Sequence, residues 1–364
     1  MPNTINVTRS ALPPLEEYIQ TIAPLWENRW LTNMGAIHQQ FEGSLRDFLH
    51  SPCVTLFTNG HLALEGALEA LERKGEIITT PFTFASTTHA ITRCGFTPVF
   101  CDIEDTFYTM DPAKIEALIT EKTVAIMPVH VYGNLCDHEA IQKIADRHGL
   151  KVIYDAAHAF GVWDGERNAA ELGDLSMFSF HATKVFHSVE GGCITCADPK
   201  WKERMDHIKN FGIPGPDRVI YPGGNAKMSE FHAAMGLCNL RYVNQWIDDR
   251  KRIVERYREN LAGLPGIKLC PEQPGVKSNY AYFPVVFTGS FTRDMAADVL
   301  AEQGIISRKY FYPLLNDCEA YGSHGDETPV AKSIAERVLT LPLYPELSLE
   351  DVDRICNILR ENLP

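Results

Sequence analysis

The chain has 364 residues, 45% hydrophobic and 22% charged, which is the make-up of a soluble globular protein long enough for two domains and free of extended disorder. A formal net charge of −13 opposes binding to DNA, RNA or an anionic membrane, while leaving room for a small anion held by a local cluster of donors. The first seven residues lack a basic patch leading into an apolar run, and no apolar stretch is long enough to span a bilayer, so the chain reads as a cytoplasmic protein with neither a nucleic-acid nor a membrane partner.

Residues 45–155 alternate short apolar runs with helical patterns, as in a parallel sheet with crossover helices. Strands are predicted at 54–57, 77–79, 98–101, 124–129 and 152–154, and two more at 175–180 and 192–196. Their carboxyl ends should converge on one ligand site. Ten cysteines read as reduced and mostly buried. Cys193 and Cys196 would point to opposite faces of their strand, so no metal is expected there. A long amphipathic helix is predicted from Ser229, its N-cap, to Leu261, acting as a connector. Strands at 267–269 and 282–287 and helices at 292–303 and 348–361 complete a smaller α+β unit. The predicted division is a large domain over 1–240 and a C-terminal one over 241–364.

Three segments at strand ends carry chemistry. Thr58-Asn59-Gly60-His61 joins a strand to a helical pattern, and a glycine there lets backbone N–H groups approach an anion at the helix start. By itself such a turn is common. Asp155-Ala156-Ala157-His158 follows a strongly apolar strand. A carboxylate there can hold a pyridine nitrogen protonated, and an imidazole three residues on can lie flat against the ring. In isolation the pair reads rather as a turn cap and a packing histidine. Ser179-Phe180-His181-Ala182-Thr183-Lys184, followed by Glu190-Gly191-Gly192, places a lysine in a tight loop of apolar surroundings, suited to a Schiff base with an aldehyde.

Together with Gly35, Phe41-Glu42, Pro81-Phe82-Thr83-Phe84, His130-Val131-Tyr132-Gly133, Gly223-Gly224-Asn225-Ala226-Lys227-Met228-Ser229-Glu230, Tyr312-Pro313 and Leu341-Pro342-Leu343, these segments resemble the DegT/DnrJ/EryC1/StrS sugar aminotransferases nearly end to end. The resemblance implies an α/β protein of the fold type I, pyridoxal-phosphate-dependent class, with a large, mostly parallel sheet domain and a smaller C-terminal α+β domain. It implies Lys184 as the catalytic, Schiff-base lysine, Asp155 as partner of the pyridinium nitrogen and His158 as the ring-stacking residue. Ser179 and the Asn59-Gly60-His61 turn would cradle the phosphate, with Phe84 a further cofactor contact. Asn225 would reach the phosphate of the neighbouring subunit, so a homodimer is implied.

Three departures from the family's pattern stand out. His61 replaces a usual Thr or Ser, and Ala226-Lys227 replaces a usual Tyr-Arg. The run from His181 through Lys184 to His187, with Val189-Glu190, resembles the subgroup that forms dTDP-4-amino-4,6-dideoxyglucose. The implied reaction moves an amino group from glutamate, giving 2-oxoglutarate, to a nucleotide-linked 4-keto sugar, in amino-sugar biosynthesis for cell-surface glycans such as lipopolysaccharide O-antigen. His181, Lys227, Arg308 and Tyr312 are the candidate substrate contacts. The alternatives are amination of a 3-keto-6-deoxy sugar nucleotide and a cofactor-binding regulator without turnover.

Overall fold

In the computed structural model, which describes residues 4–321 and 327–363, the apolar runs assemble into a seven-stranded sheet. Its strands are β1 (Cys53–Phe57), β2 (Glu76–Thr79), β3 (Thr97–Phe100), β4 (Thr123–Met127), β5 (Lys151–Asp155), β6 (Leu175–Ser179) and β7 (Gly192–Cys196). They lie in the order β1-β7-β6-β5-β4-β2-β3. All neighbours pair in parallel except at β7, which runs antiparallel to both β1 and β6.

Both faces of this sheet are covered, which is why its strands read as continuous apolar runs. Val54, Leu56, Ile78, Ile126, Val152, Tyr154, Phe178 and Cys193 face one core, beneath helix α1 (Ala36–Leu49). Cys53, Phe57, Ile77, Met127, Ile153, Met177, Ile194 and Cys196 face the other, beneath α2 (Gly60–Glu69) and α3 (Ala85–Arg93). Cys193 and Cys196 therefore point to opposite faces, as the period of a strand requires. All ten cysteines are free, and only Cys94 and Cys318 are not fully buried.

The helix expected over 229–261 is two helices, α4 (Glu230–Asn239) and α5 (Val243–Leu261). Ser229 is the N-cap of the first, its hydroxyl accepting from the His232 N–H. Between them Arg241 and Tyr242 donate to Cys238 and Asn239 carbonyls three residues back, a tightened turn that ends one axis and starts another. The two segments have different burial tasks. Residues Ala233, Ala234 and Leu237 of α4 pack in the core beneath α1. On α5, Val243 and Ile247 still face that core, whereas Ile253, Val254, Tyr257 and Leu261 enter a separate one. A single straight helix could not bury both sets.

That separate core is built on a three-stranded antiparallel sheet, β8 (Ile267–Leu269), β9 (Phe283–Phe287) and β10 (Val338–Leu341), in the order β8-β9-β10. The strand at 338–341 carries no prediction above. Helices α6 (Arg293–Glu302) and α7 (Leu349–Asn362) close it, capped by Thr292 and Ser348. The first described residues join it too: Ile5 bridges Ile305, and the Leu343 N–H donates to the Val7 carbonyl. Among the described residues no helix is long and apolar enough to cross a membrane.

The start of α1 is capped from a distance. Its N-cap, Gly35, has no side-chain acceptor, and the buried Glu230 carboxylate takes over, accepting from the N–H groups of Ile37 at 2.8 Å and His38 at 3.4 Å. A Cβ on Gly35 would stand 2.8 Å from the Glu230 carboxyl carbon, so a side chain there would push the capping carboxylate aside. Replacing Glu230 by Ala strands two buried donors, and a loss of about 1–3 kcal/mol of stability is expected. Urea denaturation of Glu230→Ala checks this; an unchanged midpoint would contradict the capping role.

Candidate active site

The carboxyl ends of β1, β2, β4, β5 and β6 converge on a cavity of about 470 Å³, the place where open α/β sheets bind ligands. Asn59, Gly60, His61, Phe84, Asp155, His158, Ser179, His181 and Lys184, all named from the sequence, line it. Thr83, Ser86, Glu190, Tyr282, Tyr310 and Phe311 also line it.

At one end the backbone turns from β1 into α2. Asn59 is the N-cap, its side-chain oxygen accepting from the Leu62 N–H at 2.8 Å. The Gly60 and His61 N–H groups then have no intrahelical acceptor and carry the positive end of the helix dipole. A Cβ on Gly60 would lie 2.9 Å from the Ser179 Cβ, and one on Gly192 would lie 2.7 Å from the Gly60 nitrogen. Three chain segments thus pack closely around the start of α2, with Gly60 and His61 on the cavity wall, which fits a phosphate. The His61 ring is held to one side, Nδ1 2.9 Å from the Ser86 hydroxyl and Nε2 3.2 Å from Glu65.

At the other end Asp155 is buried at the tip of β5. Its Oδ2 accepts from the Thr87 hydroxyl at 2.7 Å and its Oδ1 from the Ala157 N–H at 3.1 Å. Burial pushes its pKa up, while the two hydrogen bonds and the Lys184 cation pull it back. His158 is buried beside it, with Nδ1 accepting from the Tyr132 N–H at 3.1 Å. Nε2 therefore carries the proton in the neutral ring, 3.5 Å from the Tyr282 hydroxyl. Burial, reinforced by Lys184, holds the His158 pKa well below the usual histidine range. A neutral ring can stack on an aromatic cofactor, and it already lies within 7° of parallel to Phe311.

Lys184 follows β6 in a tight turn in which its N–H donates to the His181 carbonyl. Burial lowers its amine to about 8, opposed by the Asp155 carboxylate and Tyr310. Near neutral pH a useful fraction of this amine is the free base, the nucleophilic form. At the mouth, His181 Nδ1 lies 2.8 Å from the Thr183 hydroxyl, and Nε2 lies 3.7 Å from Glu190.

The remaining sequence candidates stand outside this lining. Asn225 is exposed, and its Oδ1 accepts from Lys227 Nζ at 2.7 Å; that ammonium also sits 4.7 Å from the Phe211 ring centre. The segment is anchored beside the β1 turn, the Thr58 N–H donating to the Ala226 carbonyl. Arg308 has an exposed side chain on backbone paired with Thr340. The exposed ring of Tyr312 lies over the Arg293 guanidinium. The sequence gives Thr83 no role beyond its place in Pro81-Phe82-Thr83-Phe84 and does not mark Thr87, although their spacing of four at a helix start was an available signal. Tyr282, Tyr310 and Phe311 come from the C-terminal part of the chain, and no local pattern marks them.

The arrangement offers an anion cradle, a buried carboxylate, a flat neutral imidazole and a depressed-pKa lysine around one space, which fits a phosphorylated pyridine aldehyde. The model of the DegT/DnrJ/EryC1/StrS aminotransferase family matches residues 15–360. A protein of Escherichia coli named dTDP-4-amino-4,6-dideoxy-D-glucose transaminase is 45% identical, over 98% of each chain. The crystal structure of DesI in the presence of its TDP-sugar product is 33% identical, with a TM-score of 0.95 over 99% of this chain and 93% of that one. The PLP form of a Streptococcus pneumoniae protein is 25% identical, with a TM-score of 0.92 over 99% and 98%. Strand order, site and matches agree: the chain belongs to the DegT/DnrJ/EryC1/StrS family and is an aminotransferase whose cofactor is pyridoxal phosphate.

Proposed function

We propose that the chain transfers an amino group from glutamate to the C4 keto carbon of dTDP-4-keto-6-deoxy-D-glucose, for amino-sugar biosynthesis, as a homodimer. The observation that carries this reading is the convergence of Lys184, Asp155, His158 and the Gly60 turn on one cavity. The choice of sugar draws on the likeness to the E. coli transaminase and to DesI.

In this reading Lys184, Asp155, His158, Ser179, Phe84 and the Asn59-Gly60-His61 turn hold the cofactor. Bound pyridoxal phosphate supplies an aldehyde carbon for amines and an electron-withdrawing ring that takes up the electron pair left when a proton leaves the substrate carbon. Asp155 would keep the ring nitrogen protonated, and the neutral His158 would hold the ring by stacking without adding charge. Lys184 would hold the cofactor through Nζ and, as a free amine, would be the group that takes and returns the proton at the substrate carbon. The donors at Gly60, His61 and Ser179 anchor the phosphate and so fix the reacting atoms relative to Lys184. His181 borders the sugar at the mouth of the cavity.

Two observations support the dimer. Asn225 and Lys227 lie on the surface rather than in their own chain's cavity. Leu12, Leu15, Trp26, Trp30, Val219 and Ile220 are large apolar side chains left exposed in the single chain. In the dimer Asn225 completes the partner's phosphate site and Lys227 meets an acidic group of the substrate. Arg308 and Tyr312, near the cavity through Tyr310, are the further substrate contacts.

Lys184→Ala is expected to retain cofactor noncovalently and to form no amino sugar; sustained turnover by this variant would sink the assignment. Mass analysis of product from glutamate with 4-keto and 3-keto sugar nucleotides in parallel separates the two positions, with the 4-keto compound favoured. Lys184 attacks as the free base. The rate of covalent cofactor attachment to the apoenzyme should therefore rise with pH and reach half its maximum near the amine's pKa of about 8. Because the Asp155 charge raises that pKa, Asp155→Asn should move the midpoint downward. A midpoint near the ordinary lysine value of roughly 10.4 would contradict the buried amine.

A further inference from the structure

We propose that Thr87, backed by Thr83, is a positioning residue that fixes the Asp155 carboxylate as the partner of the cofactor's ring nitrogen. The inference rests on the assignment of Asp155 made above.

The three groups form a buried line of hydroxyls ending on a carboxylate. Thr83 Oγ1 lies 2.8 Å from Thr87 Oγ1, which lies 2.7 Å from Asp155 Oδ2, and the two threonines are 2% and 1% exposed. Counting hydrogens sets the direction of the line. A threonine hydroxyl has one proton to give. With Asp155 ionised, the Thr87 proton must point at Oδ2, so the Thr83 proton must point at Thr87. Asp155 Oδ1 meanwhile accepts from the Ala157 N–H. Each carboxylate oxygen is thus addressed by a donor from the protein, and the two aligned hydroxyl dipoles favour the charged form. Burial alone would favour the neutral acid, which cannot hold a ring nitrogen protonated in the same way.

The geometry also limits where the carboxylate can turn. Thr87 sits in the first turn of α3, behind Phe84, the helix N-cap, whose ring borders the cavity. Ser86, one residue earlier, holds the His61 ring at the phosphate end. One helical turn therefore sets the nitrogen end, the phosphate end and one wall of the site.

The test uses the holoenzyme reloaded with cofactor labelled with nitrogen-15 in its ring, and follows the ring-nitrogen chemical shift as a function of pH. In Thr87→Val the pH at which the nitrogen loses its proton should fall by about one unit or more, since the Asp155 carboxylate is no longer held in place beside the nitrogen. Turnover should drop about tenfold, the factor that one unit represents, with KM for the sugar nucleotide unchanged. Thr87→Ser, which keeps the hydroxyl, should restore both. Thr83→Val, which breaks only the outer link, should give a smaller shift of the same sign, and it also serves if Thr87→Val fails to fold. Asp155→Asn is the control. If Asn moves the ring titration and neither threonine variant does, Thr87 is only a packing partner and the proposal is wrong. If Asn leaves the titration unmoved, the assignment of Asp155 itself falls, and the proposal with it.

Discussion

The site depends on one electrostatic arrangement: an amine and a carboxylate kept in a crevice where each opposes the effect of burial on the other. Burial lowers Lys184 and raises Asp155, and in both cases the partner's charge acts in the reverse direction. The balance leaves the lysine near 8, reactive yet protonatable, which is what a group that both attacks and shuttles protons requires. Fully solvated, the same lysine would be a spectator cation. Buried without Asp155, it would have a lower pKa still.

The fold exists to hold these two groups at fixed places. Parallel strands put their carboxyl ends on one edge of the sheet, so β1, β5 and β6 deliver the Gly60 turn, Asp155 and Ser179 to one space. The antiparallel β7 slots between β1 and β6, and its Gly192 lets the Gly60 turn approach closely enough to expose backbone N–H groups. Residues from the C-terminal part of the chain also line the space. They are Tyr282, Tyr310 and Phe311, and Tyr132 ties this segment to the residues after β4 by donating its hydroxyl proton to the Tyr310 carbonyl.

Much of this was legible in the sequence, because strands buried on both faces read as apolar runs and their ends carry the reactive residues. Asp155, His158, Ser179 and Lys184 each follow such a run, and the order of motifs along the chain supplied the family resemblance. The break between α4 and α5 was not legible. The amphipathic pattern continues through residues 240–242, and only the two separate cores force the change of axis. Thr87 escaped for a related reason: it meets Asp155 across 68 residues of sequence, and a threonine in the first turn of a helix looks like local punctuation. Arg308 and Tyr312 were singled out for their chemistry, but the structure lines the cavity with their neighbours Tyr310 and Phe311 instead.

Peptide mapping after borohydride reduction of the cofactor-loaded protein tests the central claim most directly. Reduction should fix a pyridoxyl mass on the single tryptic peptide that contains Lys184. A protein that loads cofactor yet carries the mass on another lysine, or on none, would contradict the account.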